Sequence, residues 1–227
     1  MIPWENLDRA PAPGGATLSL HRRGNEYVIR VDGKDLMSNR MHGSEDALAT
    51  LGCADLGQKK GARILIGGLG MGFTLRAALD RLGPDAVVEV AELVPAVLAW
   101  NRGVLAPLAG APLTDPRVVV HEGDVVALIA ASRGRYDAIL LDVDNGPDAL
   151  TSPENARLYG PRGLGRIHAA LRRQGVVGVW SAGDDTRFTA RMMRAGYEVR
   201  VERVLARHNA ARPRGKRHVI WIARRRD

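Results

Sequence analysis

The stretch ILIGGLGMGFTLRAAL, residues 64–79, decides the fold. Ile64, Leu65 and Ile66 form an apolar run that halts at Gly67 and Gly68, with Gly70 and Gly72 close behind. After Phe73 the apolar positions Leu75, Ala78, Leu79 and Leu82 recur at i, i+3, i+4 and i+7, the spacing of one helix face. A buried strand, a glycine-rich turn and an amphipathic helix therefore follow one another without a break. Glycine lets other groups come against the main chain, and the first turn of a helix presents N–H groups with no partner inside it. The arrangement predicts a small molecule seated on that backbone. Tight packing of strand against helix would use the same glycines.

Outward from this unit the pattern repeats. Short apolar runs, RILIG (63–67), VVEVAEL (87–93), RVVVHEG (117–123), YDAILLD (136–142) and GVVGVWSA (175–182), alternate with helical stretches over 73–82, 95–105, 125–131 and 163–172. Continuous Val/Ile/Leu runs separated by helices predict a parallel sheet covered on both faces, a doubly wound α/β domain. GYEVRVERVLAR (196–207) and RHVIWIARR (217–225) are two strand-like segments with only a basic loop between them, so they should pair as an antiparallel hairpin. Upstream, ATLSLHRRGNEYVIRVDGKDLMS (16–38) reads as two strands joined at Gly24-Asn25, with a second turn at Asp32-Gly33. GSEDALATLGCADLG (43–57) then predicts a linking helix, with Ser44 as N-cap and Glu45 and Asp46 in its first turn. The expected division is a β-hairpin unit over 1–42 and a Rossmann-like domain over 43–227.

Composition narrows the classes. Hydrophobic residues at 45% and charged residues at 26% are ordinary for a folded, water-soluble domain. The N-terminus lacks the pattern of a secretory signal and no apolar run approaches a membrane span, which predicts a cytoplasmic protein. The single cysteine, Cys53, excludes an internal disulfide and reads as a small core residue. The six histidines show no ligand spacing, so no metal is expected. A net charge of +8, concentrated in ARPRGKRH (211–218) and ARRRD (223–227), favours anionic partners, although a solvated arginine-rich face would look the same.

Acids mark the ends of the later strands. Glu92 stands at the tip of VVEVAEL, followed by Leu93, where a carboxylate can accept hydrogen bonds from ribose hydroxyls. Glu89, inside that run, reads as an edge or partly exposed strand residue. Gly123 and Asp124 follow the third strand; Asp142 and Asp144 follow the fourth. The glycine loop has no GK[ST] and no basic residue before Arg76, which excludes a nucleoside triphosphate loop. Glycine and acid spacing alone would leave a nicotinamide dinucleotide open.

Taken together, ILIGGLGMGFTLR, VAELVPAVLAWNR, VVVHEGDVVALI and YDAILLDVDNGP, with the preceding hairpin and linking helix, resemble the class I S-adenosylmethionine-dependent methyltransferase fold, and within it the spermidine synthase-like family. The resemblance implies a mostly parallel seven-stranded sheet ending in an antiparallel hairpin. It makes Gly67, Gly68, Gly70 and Gly72 the floor under the methionine part of the ligand, and Glu92 the ribose acceptor with Leu93 beside it. Asp124 would hold the adenine amino group together with the neighbouring backbone, including Val125, where Gly123 lets the loop turn; Asp124 as a plain helix cap is the structural alternative. Asp142 would lie beside the sulfonium, with Asp144 as a candidate base for an attacking amine.

This chain departs from the polyamine synthases at two points. Their strand-four segment reads D-[ST]-[ST]-D-P-x-G-P, whereas Asp142-Val143-Asp144-Asn145-Gly146-Pro147 is shorter and lacks the D-P pair. Their G-G-G-D-G-G loop carries an acid for the cofactor's amino group, and Gly70 and Met71 stand there instead. The link NRMHGSEDAL offers His42, Glu45 and Asp46 in place of a tyrosine- and acid-rich cradle. The first expectation is therefore methyl transfer from S-adenosylmethionine to a small acceptor. The alternative is aminopropyl transfer from decarboxylated S-adenosylmethionine to putrescine. A nucleic-acid methyltransferase ranks third, because no [DN]-P-P-[YF] follows strand four and no aromatic there could stack a flipped base. Relatives of this kind commonly form homodimers. Tyr159 is expected in a lid over the acceptor, Trp180 and Ser181 at the pocket border or in the core, and Asp184 and Asp185 at a helix N-terminus.

Overall fold

The computed structural model describes residues 2–143, 155–207 and 215–227. Two sheets organise the chain. The larger has seven strands in the order β10-β11-β9-β8-β5-β6-β7: β5 (Arg63–Gly67), β6 (Val87–Glu92), β7 (Val118–Glu122), β8 (Tyr136–Leu141) and β9 (Leu171–Ser181) run parallel, while β10 (Tyr197–Leu205) and β11 (Arg217–Arg225) form the antiparallel end.

The continuous apolar runs follow from burial on both faces. Ile64, Ile66, Ala138 and Leu140 enter one core with α1 (Gly43–Gly52), α2 (Phe73–Leu79) and α3 (Pro95–Arg102). Their neighbours Leu65, Ile139 and Leu141 enter the other with α4 (Val125–Ala130), α5 (Pro161–Ala170) and α6 (Thr186–Arg194). Strand side chains alternate faces, so covering both sides demands an apolar residue at every position. In the second core Phe188 stacks edge-on against Trp221 at 5.0 Å and against Tyr159 at 5.5 Å. Burial of each such side chain contributes about 1.5–3 kcal/mol.

The N-terminal unit is larger than a hairpin. β1 (Glu5–Pro11), β2 (Thr17–Arg23), β3 (Glu26–Val31) and β4 (Lys34–Ser38) form a four-stranded antiparallel sheet. The turns at Gly24 and at Asp32-Gly33 lie where the sequence predicts them. β1 carries no apolar alternation because it is an edge strand, largely exposed, and it is tied to the main domain through Trp100 Nε1, which donates to Asp8 at 2.7 Å. Leu18, Leu20 and Ile29 share a core with Leu48 of α1, so the small sheet is packed onto the large one.

Three expectations change here. Glu89 is buried: Arg135, Arg63 and His121 reach its carboxylate at 2.8, 3.3 and 2.9 Å. Burial pushes that carboxyl up, but the Arg135 charge and the hydrogen bonds from Arg135, His121 and Arg63 outweigh it and hold it below the usual range. Ser44 is not the N-cap of α1; the helix starts at Gly43 after His42, and the Ser44 side chain is fully buried. Tyr159 belongs to the core against Phe188 rather than to a lid. Cys53 is buried as expected, with its thiol pushed up to about 12.

Candidate functional site

The parallel strands reverse their order of addition between β5 and β8, and a crevice opens at their carboxyl ends at such a point. Backbone hydrogen bonds knit the tips together: Gly68 N donates to Ala91 O, Asp142 N to Gly67 O and Gly123 N to Glu92 O, each at 2.9 Å. The glycine loop, Glu92, Gly123 and Asp142 are thereby brought side by side.

The structure also shows why the glycines are glycines. Gly68 has φ +84°, and a Cβ there would lie 2.3 Å from the Asp142 carbonyl oxygen. A Cβ on Gly70 would meet Met37 Sδ of β4 at 3.1 Å, and one on Gly72 would meet Pro112 and Asn101. Gly67, inside β5, faces Val125 and Leu141. Protein atoms occupy the space beside these Cα atoms. The side chain of Val125 is buried beneath the loop.

Glu92 is almost fully buried, and its two oxygens accept from Leu69 N and Val94 N, each at 2.9 Å. Burial raises its pKa while these backbone N–H groups oppose the rise. Leu93 beside it is an exposed apolar side chain. Asp124 caps α4, accepting from Val126 N at 2.8 Å, which is the capping role weighed from sequence. Asp144 lies outside the described residues. Replacing Glu92 by alanine should cost about 1–3 kcal/mol, because the Leu69 and Val94 N–H groups lose their acceptor inside the protein. Urea denaturation reads that loss directly.

A cleft of about 600 Å³ lies between the two sheets. Met37 of β4, Leu69 and Gly70 of the loop, Phe73 of α2, Trp180 of β9 and His218 of β11 contribute to its walls. Glu92 and Asp124 are not among its lining residues; Glu92 is tied to the glycine loop through Leu69 N. Four acids line the cleft, Asp142 at the end of β8, Glu45 in the first turn of α1, Asp32 just before β4 and Asp35 within it, together with Lys34 and Lys216. The Thr74 hydroxyl donates to Asp142 at 2.6 Å, and the Ser44 hydroxyl donates to Glu45 at 2.6 Å. Burial pushes both carboxyls up, Glu45 to about 7 with the Asp142 charge adding to the effect, and Asp142 to about 6 against the Thr74 hydrogen bond. Neighbouring carboxylates that resist joint ionisation favour a cation between them.

Sequence reading placed Glu45 correctly in the first helical turn but saw no site there, and it did not single out His218. An acid at the head of the linking helix was the available signal. His42 stands at the N-cap position of α1; its Nδ1 lies 2.8 Å from Asp46, which raises its pKa, and its ring stacks on Phe73 at 4.0 Å. Asp185 caps α6 and Asp184 pairs with Arg203. Several C-terminal arginines are held internally, Arg224 by Asp55 and Arg225 by the carbonyls of His168 and Leu171. Among the described residues no group of three or more His, Cys, Asp or Glu could hold a metal ion, and no helix is long and apolar enough to cross a membrane.

No family model and no curated protein sequence matches the chain. Solved structures do. A spermidine synthase from Thermotoga maritima superposes with a TM-score of 0.74 at 16% identity, over 96% of this chain and 72% of that one. A spermidine synthase in complex with the transition state analogue AdoDATO gives 0.73 at 15% identity, with the same coverage of 96% and 72%. The chain has the spermidine synthase fold. A probable spermidine synthase from Corynebacterium glutamicum ATCC 13032 gives 0.60 at 17% identity, over 97% and 79% of the two chains. The spermidine synthase fold accounts for both sheets, the antiparallel end of the larger one and the cleft between them.

Proposed function

We propose that the protein is a transferase that moves the aminopropyl group of decarboxylated S-adenosylmethionine to an amine. The half-buried pair Glu45 and Asp142 carries this reading, supported by the likeness in fold. In such a transfer the amine lone pair attacks the carbon bonded to the sulfonium, the C–S bond breaks towards sulfur, and methylthioadenosine leaves as a neutral thioether. The attacking nitrogen must surrender a proton. Asp142, at the strand tip beside the glycine loop, is placed to take it, while Glu45 offsets the ammonium of the aminopropyl group. Glu45 thus stands in for the acid missing from the loop at Gly70 and Met71. Next to Glu45 and Asp142 the carboxylate of intact S-adenosylmethionine would meet like charges, which disfavours it against the decarboxylated form; Lys34 and Lys216 line the same cleft and oppose that preference.

The adenosine half fits the other side of the loop. A carboxylate has about four acceptor sites, and the Leu69 and Val94 N–H groups take two on Glu92, leaving capacity for ribose hydroxyls. The exposed Leu93 side chain offers an apolar surface to a base. Gly123, Asp124 and the backbone of Val125 close that end.

Calorimetry with both forms of the sulfonium, and chromatography of the products with putrescine, test the reading. We expect at least tenfold tighter binding of the decarboxylated form and putrescine-dependent methylthioadenosine. Formation of S-adenosylhomocysteine from the intact form, with no methylthioadenosine, would instead establish methyl transfer, which the loop without an acid favours. With the pair ionised as the working state, kcat/KM should climb as pH rises through about 6 to 7.

A further inference from the structure

Behind Glu45 lies a second layer that the transfer reading does not use. Ser44, fully buried, has one hydroxyl proton and two polar neighbours: Glu45 Oε2 at 2.6 Å and His218 Nδ1 at 2.8 Å. His218 comes from β11, at the far end of the chain, and its ring stands edge-on to Trp180 at 4.7 Å. The imidazole is 6% exposed, and its Nε2 has no hydrogen-bond partner among the described residues. Burial, with Lys216 nearby, lowers its pKa to about 4, so the ring is neutral around pH 7, with one nitrogen donating and the other accepting.

One proton on Ser44 allows two consistent arrangements. If Glu45 is ionised, Ser44 donates to it, and His218 Nδ1–H donates to Ser44 Oγ, leaving Nε2 bare. If Glu45 is protonated, its O–H can donate to Ser44, whose hydroxyl then turns to an unprotonated Nδ1, and the ring proton resides on Nε2. We propose that His218 is a positioning residue for Glu45, acting through Ser44, and that its tautomer follows the ionisation of Glu45. No proton is created or lost along this chain: conversion from the first arrangement to the second adds one proton at Nε2, passes one from Nδ1 to Ser44 Oγ, and passes the hydroxyl proton to Glu45. Besides His218 itself, the charged or titratable groups acting on Glu45 are Asp142 at the end of β8 and His42 at the N-cap of its own helix; Lys216 acts on His218, and Asp32, Lys34 and Asp35 line the same cleft.

The proposal rests on the assignment of Glu45 to the cleft, and its primary test needs no turnover. Nitrogen-15 NMR of the full chain labelled at histidine reads which ring nitrogen carries the proton. We expect the Nδ1–H form of His218 at pH about 8.5 and a shift to Nε2–H as Glu45 protonates, abolished in Glu45→Gln and uncoupled in Ser44→Ala. A ring that stays Nε2–H at both ends, or that titrates identically in Glu45→Gln, overturns the proposal. In the active enzyme, His218→Leu should move the acid limb of kcat/KM to higher pH by about half to one unit, because Ser44 loses the N–H that orients its hydroxyl towards ionised Glu45. His218→Asn, which restores an N–H near the Nδ1 position, should return it; a shift unchanged by the asparagine argues against the positioning role. A protein without amine transfer but with the tautomer change would refute the transfer reading alone, and the reverse result would refute only the coupling.

Discussion

Asp142→Asn should abolish most of the transfer and at the same time stabilise the folded chain above neutral pH. The two effects have one cause. Burial raises the Asp142 pKa to about 6 from an ordinary value of 3.8, so between those pH values the folded protein retains a proton that the unfolded chain has released. Stability therefore falls as pH rises through this window, and the whole penalty of holding a buried charge is present at pH 8 and absent at pH 3. Asparagine removes that charge and keeps an acceptor for the Thr74 hydroxyl. A shift of this size corresponds to about 2–3 kcal/mol, or a rise in Tm on the order of 4–10 °C for a chain of this length. Removing a general base lowers turnover by roughly 10²–10⁴-fold. Thermal melts at pH 8 and pH 3, paired with product assays, measure both halves. A variant destabilised at pH 8 would mean that the carboxylate is held by cationic or donor groups, and would undermine the reading of the pair as a seat for a positively charged amine.

Gly68→Ala should be strongly destabilising, a single added methyl group that the loop cannot accommodate. The position has φ +84°, which an L side chain adopts at a cost, and the added Cβ would lie 2.3 Å from the backbone oxygen of Asp142. That oxygen belongs to the tip of β8, whose N–H is hydrogen-bonded to Gly67 O, so it cannot yield without parting the two central strands. We expect a loss of about 3–5 kcal/mol, among the largest for a point change, with loss of nucleoside binding. Gly165→Ala is the opposite case: it sits inside α5 with no atom within 4 Å of the new Cβ, and it should gain about 0.5–1 kcal/mol from helix propensity. Denaturant titration of the two variants side by side separates the local geometry from a general intolerance of glycine replacement.

The glycine loop illustrates how far the sequence reading went. Its position after β5 and before α2 was legible, because a run of Ile-Leu-Ile interrupted by glycines and resumed at helical spacing has few other solutions. The reason for the glycines was not. The atoms that crowd Gly68, Gly70 and Gly72 come from residues 142, 37, 101 and 112, far away in the chain. Glu89 was misread for the same kind of reason: a lone acid in an apolar strand looks marginal until Arg63, His121 and Arg135 are seen around it. β1 left almost no trace, since an exposed edge strand needs no apolar face.

Local pattern by itself determined the order of strands and helices from α1 onward, the antiparallel end formed by β10 and β11, and the placement of Glu92, Asp124 and Asp142 at strand tips. Those features depend on periodicity and on punctuation by glycine, which act between near neighbours. Only the tertiary structure decided which acids meet. Glu45 on the linking helix and Asp142 on the fourth parallel strand lie about a hundred positions apart, and His218 comes from the last strand, so their encounter depends on sheet order and on how α1 packs beneath β11. The raised pKa values of the two acids arise from the water excluded when those elements close together, a quantity with no counterpart in any short stretch of chain.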